Sequence, residues 1–164
     1  MRAKGQRLSK APMLYLLRHA KAGNRYDALE EDRERSLTQK GLVQAQSIAT
    51  HLTPKGITEI ISSPYRRCIE TVRPLSILSG VEITDDSVLG EEATIDGLRA
   101  IVTRCLEAAP NQQTTASTVI CTHGNVVPAI IDILGLYSND TIRCAKGSIY
   151  EIDLADRILS YIEF

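Results

Sequence analysis

Short apolar runs and helical apolar stripes alternate along this chain. Met13 to Leu17 is apolar throughout and reads as a buried strand. Ile57 to Ile61, Val81 to Ile83 and Thr118 to Cys121 read as three more. Between them, Leu42, Ala45, Ala49 and Leu52 recur at helical spacing, as do Cys68, Ile69, Val72 and Leu75. Leu98, Ile101, Val102, Cys105 and Leu106 form the clearest amphipathic stripe, and Val127, Ile130, Ile131 and Leu134 form the last. Ser148 to Leu154 and Ile158 to Ile162 read as a strand pair around Ala155-Asp156.

Local signals set the expected ends. Thr38 is placed to cap the first helix, and Pro54 and Gly56 to end it. Ser63-Pro64 looks like an N-cap followed by proline at the first helical position. Pro74 falls inside the second helix, where it is expected to kink or shorten it. Asn125 is a candidate cap for the fourth helix, and Gly135 closes it. Lys21 to Leu37 has no steady period and carries Glu30-Glu31-Asp32-Arg33-Glu34-Arg35, an irregular length that marks a functional loop. Pro110 to Ser117 is a polar turn. Strands alternating with helices predict an α/β fold: three layers, α/β/α, around a mainly parallel central sheet. Residues 1–12, with Arg2, Lys4, Arg7 and Lys10 and no acid, are expected to be a flexible lead-in. Residues 13–164 are expected to be a single domain.

The chemistry collects where strands end. Arg18-His19 follows the first strand directly, and Thr122-His123-Gly124 follows the later core strand. Ser62-Ser63-Pro64-Tyr65-Arg66-Arg67 follows the second. Open α/β sheets bind ligands at the carboxyl ends of their strands. Two imidazoles among guanidinium groups suit an anionic phosphoryl group, because neutral imidazole attacks phosphorus and arginine forks match its oxygens. Either Arg66 or Arg67 fits the second arginine position, and either Glu91 or Glu92 could supply the proton a leaving oxygen needs. His51 lies on the polar side of its helix and is given no role.

Bulk composition narrows this without redirecting it. A chain of 164 residues with 43% hydrophobic and 24% charged residues is ordinary for one globular domain. The net charge of −1 leaves a phosphate site to a local positive pocket and does not indicate nucleic-acid binding. No apolar stretch approaches the ~18 residues of a membrane span. Cys68, Cys105, Cys121 and Cys144 are widely spaced, which suits reduced thiols in a cytoplasmic protein.

Together these residues resemble the histidine phosphatase, or phosphoglycerate-mutase-like, superfamily. The resemblance runs from Met13 through nearly the whole chain. It rests on Leu17-Arg18-His19-Ala20, on Leu37-Thr38-Gln39-Lys40-Gly41-Leu42-Val43-Gln44-Ala45, and on Ser62-Ser63-Pro64-Tyr65-Arg66-Arg67-Cys68-Ile69-Glu70-Thr71. Leu89-Gly90-Glu91 and Thr122-His123-Gly124 complete it. The family has Arg-His-Gly most often, whereas this chain has Ala20. Arg-His-Ala-Lys is similar to SixA-type phosphohistidine phosphatases. It is similar also to the phosphatase domain of two-domain MutT-type Nudix proteins, a likeness carried by Arg18 to Gly23, Arg67-Cys68, Val119 to Thr122 and Lys146-Gly147-Ser148. A Nudix domain is not expected in a chain this short.

The resemblance implies a phosphoglycerate-mutase-like fold and a phosphatase that needs no metal and no other cofactor. It implies that His19 is phosphorylated in turnover, that Arg18, Arg67 and His123 bind the phosphate, and that Glu91 donates the proton. Lys21 and Arg25 are candidate contacts to a second phosphate. The implied partner is a phosphorylated protein, or a small phosphorylated metabolite or nucleotide, with no nucleic acid and no membrane. A phosphohistidine phosphatase is the leading expectation, and a phosphatase of nucleoside di- or triphosphates the alternative. Two readings compete with these. One is a phosphate-binding module with little turnover. The other is a two-histidine, one-carboxylate metal site, which Arg18 and Arg67 would disfavour by repelling a cation.

Overall fold

The structure, a computed structural model, describes residues 12–26, 31–108, 116–136 and 142–164. Most of the expected lead-in, most of the Pro110–Ser117 turn and residues 27–30 lie outside the described residues. Among the described residues six strands form one sheet: β1 (Met13–Arg18), β2 (Glu59–Ser62), β3 (Ile83–Asp85), β4 (Ser117–Thr122), β5 (Ser148–Asp153) and β6 (Ile158–Glu163). Their order is β3-β2-β4-β1-β5-β6. β1 to β4 run parallel to one another, and β5 and β6 add antiparallel at the β1 edge. The expected mainly parallel sheet is therefore present, with the terminal strand pair as its antiparallel part.

Strand geometry sends alternate residues to opposite faces, and β1 shows the consequence. Leu14 and Leu16 join a core with Leu98, Ile101, Val102, Cys105, Val127 and Ile130, from α3 (Ile95–Glu107) and α4 (Val126–Ile133). Tyr15 and Leu17 face the other way. They pack with Ile48, Ala49, Leu52, Cys68, Val72 and Leu75, from α1 (Gln39–Leu52) and α2 (Arg66–Ser79). Two helices on each face make the three-layer α/β/α arrangement. Burying both sheet faces is why β1 and β4 read as continuous apolar runs rather than as alternating ones.

Several local expectations shift. β2 begins at Glu59 instead of Ile57, and β3 covers Ile83–Asp85 instead of 81–83. Thr38 does cap α1, its hydroxyl accepting from the Gly41 N–H. Ser63 does not cap α2, which starts at Arg66 with Tyr65 as its N-cap. Pro74 neither shortens nor ends α2, which runs on to Ser79. Cys68, Val72 and Leu75 stay fully buried on either side of it. Asn125 adopts the N-cap position of α4 without a side-chain cap bond.

The Lys21–Leu37 loop is pinned where it meets α1. Ala22 bridges Leu37, and the Lys21 carbonyl accepts from both the backbone N–H and the hydroxyl of Thr38. Gly41 makes this approach feasible, since a Cβ there would lie 2.1 Å from the Lys21 carbonyl oxygen. All four cysteines are free thiols. Among the described residues no helix is long and apolar enough to cross a membrane.

Candidate active site

β1, β2 and β4 are central neighbours in the sheet, so their carboxyl ends open at one place. His19 follows β1, and its backbone N–H donates to the Thr122 carbonyl at the end of β4. His123 is the next residue along. The two imidazole centroids are 5.5 Å apart. Arg67 enters from the first turn of α2, with its guanidinium wholly buried.

His19 is held in one tautomer. Its Nδ1 lies 2.8 Å from the Ala20 carbonyl, which can only accept, so Nδ1 carries the proton and Nε2 presents a lone pair. Arg67 Nε, which can only donate, sits 3.3 Å from that lone pair. Ala20 is itself fixed, its N–H donating to the Thr71 hydroxyl at 3.0 Å. Burial, above all, pushes the His19 imidazole down to about 3, and the charges of Arg67, His123 and Arg18 act in the same direction. The Ala20 hydrogen bond opposes the shift without cancelling it.

Arg67 is the hub of the site. Its Nη2 lies 2.8 Å from Glu91 Oε1, 3.2 Å from Asp32 Oδ2 and 3.4 Å from His123 Nδ1, and its Nη1 donates to the Asp32 carbonyl at 2.8 Å. The Tyr65 ring lies under the guanidinium, 4.7 Å from its carbon. Arg66, the competing candidate, turns outward to Glu70 at 2.8 Å. His123 Nε2 is 2.9 Å from the Ser63 hydroxyl, and its Nδ1 is 3.7 Å from Glu91 Oε1. Glu92, the other acid candidate, accepts from the Tyr65 hydroxyl at 3.0 Å. Burial works against ionisation of Asp32, yet Arg67, Arg35 and Arg25 together hold its carboxyl below the usual range.

Above this floor lies a cavity of about 470 Å³, within the range of small-molecule sites. Its lining includes Arg18, Lys21, Arg25, Arg35, Glu91 and Lys146. Arg18 donates to the Cys144 carbonyl and lies against Gly124, where a Cβ would come within 2.8 Å of its guanidinium carbon. Arg25 reaches both Glu91 oxygens, at 2.7 and 2.8 Å, so carboxylates already engage it. The structure thus gathers His19, Glu91 and His123 around Arg67, with Arg18, Lys21 and Arg25 around the opening.

Sequence reasoning missed several neighbours. Ser63 was expected to cap a helix and instead contacts His123. Asn125 was expected to do the same and instead donates to the Glu91 carbonyl at 2.9 Å, tying the acid's loop to the histidine's. Asp32 and Arg35 were hidden in an aperiodic charged run. Lys146 appeared only within a motif and had no spatial partner. Among the described residues no group of three or more His, Cys, Asp or Glu side chains is arranged to hold a metal ion.

Residues 14–96 match the sequence profile of the histidine phosphatase superfamily (branch 1). The chain is 31% identical over 144 residues to an 8-oxo-(d)GTP phosphatase from Mycolicibacterium smegmatis. That match takes in 86% of this chain but 44% of the relative, so the chain spans less than half the length of the curated protein it resembles. Among solved structures, the protein histidine phosphatase SixA complexed with tungstate superposes with a TM-score of 0.71 at 17% identity, over 92% of this chain and 94% of that one. A mycobacterial glucosyl-3-phosphoglycerate phosphatase complexed with VO3 gives 0.71 at 15% identity, over 94% and 99%. At these identities the structural matches establish the shared phosphoglycerate-mutase-like fold.

Proposed function

The chain belongs to the histidine phosphatase superfamily, and on that premise we propose that it hydrolyses a phosphate ester or phosphoramidate through a phosphohistidine at His19. One observation carries this reading. The Nε2 lone pair of His19 faces a cluster of fixed cations, while Nδ1–H is anchored on Ala20. An imidazole held near 3 by burial stays unprotonated at neutral pH and is ready to attack.

In the first step Nε2 forms a bond to phosphorus and the bond from phosphorus to the leaving oxygen breaks. Arg18, Arg67 and His123 meet the charge on the equatorial oxygens. We assign to Glu91 the proton given to the leaving oxygen and taken back from the water that then cleaves the phosphohistidine, a role that requires substrate first to draw Arg67 and Arg25 off its carboxylate. Orthophosphate leaves and His19 returns to its starting tautomer. Arg67 and Arg18 beside His19 disfavour a bound cation, so the proposed chemistry needs no metal.

The open cavity suits a phosphate presented on a protein side chain, as in phosphohistidine, or on a nucleotide. The likeness to SixA supports the first class and the 31% identical relative supports the second. Four free thiols fit a reducing compartment such as the cytoplasm. The test is phosphate release in EDTA, wild type against His19→Ala, from a phosphohistidine protein and from nucleoside di- and triphosphates. Release by the wild type alone is expected. Substantial release by His19→Ala would remove the nucleophile, and binding of phosphate esters without release would leave a phosphate-binding module.

A further inference from the structure

Beyond the groups that grip the transferring phosphoryl, the cavity carries positive charge which that phosphoryl does not use. Five cationic side chains and one carboxylate line it. Arg25 and Glu91 neutralise each other. Arg35 is fixed on Asp32 at 2.9 Å and on the Gly23 carbonyl at 2.6 Å, but Asp32 is shared with Arg25 and Arg67, so one carboxylate serves three guanidinium groups. Among the described residues, neither Lys21 nor Lys146 has a carboxylate partner.

The two lysines are placed together by one side chain. The Gln44 amide, buried in α1, accepts from the Lys21 N–H at 2.9 Å and donates to the Lys146 carbonyl at 3.0 Å. The next residue, Gly147, donates to the His19 carbonyl at 3.1 Å, which sets Lys146 beside the nucleophile. Arg18 Nε, also bordering this space, is buried without a hydrogen-bond partner among the described residues. The crowding is felt by Lys146 itself: burial first, then Arg18, Arg35 and Lys21, push its ammonium below the usual lysine range. An anion between these groups would relieve that repulsion.

We propose that Lys21 and Lys146, backed by Arg35, form a second anion subsite that selects a phosphoryl group joined through a phosphoanhydride. The matching ligand is the end of a nucleoside di- or triphosphate, in preference to an isolated monoester or phosphoramidate. This rests on His19 being the nucleophile. Nε2 bonds to the terminal phosphorus, the bridging P–O bond breaks, and the shortened nucleotide departs with that oxygen. Water then frees orthophosphate. Because the leaving phosphate gains charge as the bridge breaks, the lysine contacts strengthen in the transition state and raise kcat as well as affinity.

The experiment uses the full chain in EDTA, comparing kcat/KM for GDP, GMP, p-nitrophenyl phosphate and phosphoramidate, in wild type and in Lys21→Ala/Lys146→Ala. Wild type should favour GDP over GMP by about tenfold or more, and the double variant should lower that ratio about tenfold, the size expected for lost charge-assisted contacts. His19-dependent turnover with no preference for GDP would overturn the subsite and leave the phosphatase reading intact. If none of the substrates turns over, the phosphatase reading fails, and calorimetric binding decides the subsite independently. Methylenediphosphonate binding about tenfold tighter than methylphosphonate, with the advantage lost in the double variant, supports it; equal affinities overturn it.

Discussion

Lowering the pH from 7 to 4.5 should cost this protein stability through His19, and the size of the cost follows from its burial. The imidazole is 4% exposed and is held near 3, against an ordinary value of 6.5. The unfolded chain therefore binds a proton that the folded chain refuses. Stability from this group is complete above about pH 6.5 and is lost as the pH falls towards the folded value. Two pH units at about 1.4 kcal/mol each give roughly 3 kcal/mol at pH 4.5. Asp32, held below the usual carboxylate range, stays ionised across this window. The control is His19→Asn, whose amide keeps a donor near the Ala20 carbonyl but does not titrate. Urea unfolding at both pH values should show wild type losing roughly 2–4 kcal/mol more than the variant. Equal losses would mean that His19 titrates normally, and the argument for an unprotonated nucleophile would fall with it.

Gly41→Ala should lower stability by about 1–3 kcal/mol, although alanine is the better helix former, because the new methyl meets the Lys21 carbonyl at 2.1 Å. A urea midpoint at or above that of wild type would show that the contact is not close. Glu91→Gln should slow aryl phosphates with poor leaving groups by about 10²-fold or more and those with good leaving groups much less. A leaving-group series giving equal losses would remove Glu91 from the acid role.

The sheet and the edge that carries both histidines were legible because both depend on short-range signals. β1 and β4 are buried on both faces and so are apolar throughout, and His19 and His123 stand directly at their ends. The terminal pair β5 and β6 was visible as strands, but its addition beside β1 was not, since pairing of distant segments leaves no local trace. That placement brings Lys146 beside His19. Ser63 and Asn125 were misread for a related reason. Short polar side chains next to a helix start usually cap it, yet here a buried imidazole and a loop carbonyl offered them other partners. Asp32 and Arg35 lie in a run where every residue is charged. Only the folded loop shows which of them faces Arg67.

The carboxylates on Arg67 have a consequence for how the site empties. Glu91 and Asp32 both lie on the Arg67 Nη2 edge, the edge that the proposed phosphoryl ligand would use. On the proposed function, substrate and orthophosphate alike would have to displace them, so the strength of those two contacts would be subtracted from the affinity of each. The protein thus carries its own tethered competitor at full local concentration. In the proposed mechanism that would weaken product inhibition without any moving lid, and raise the substrate level at which the site half fills.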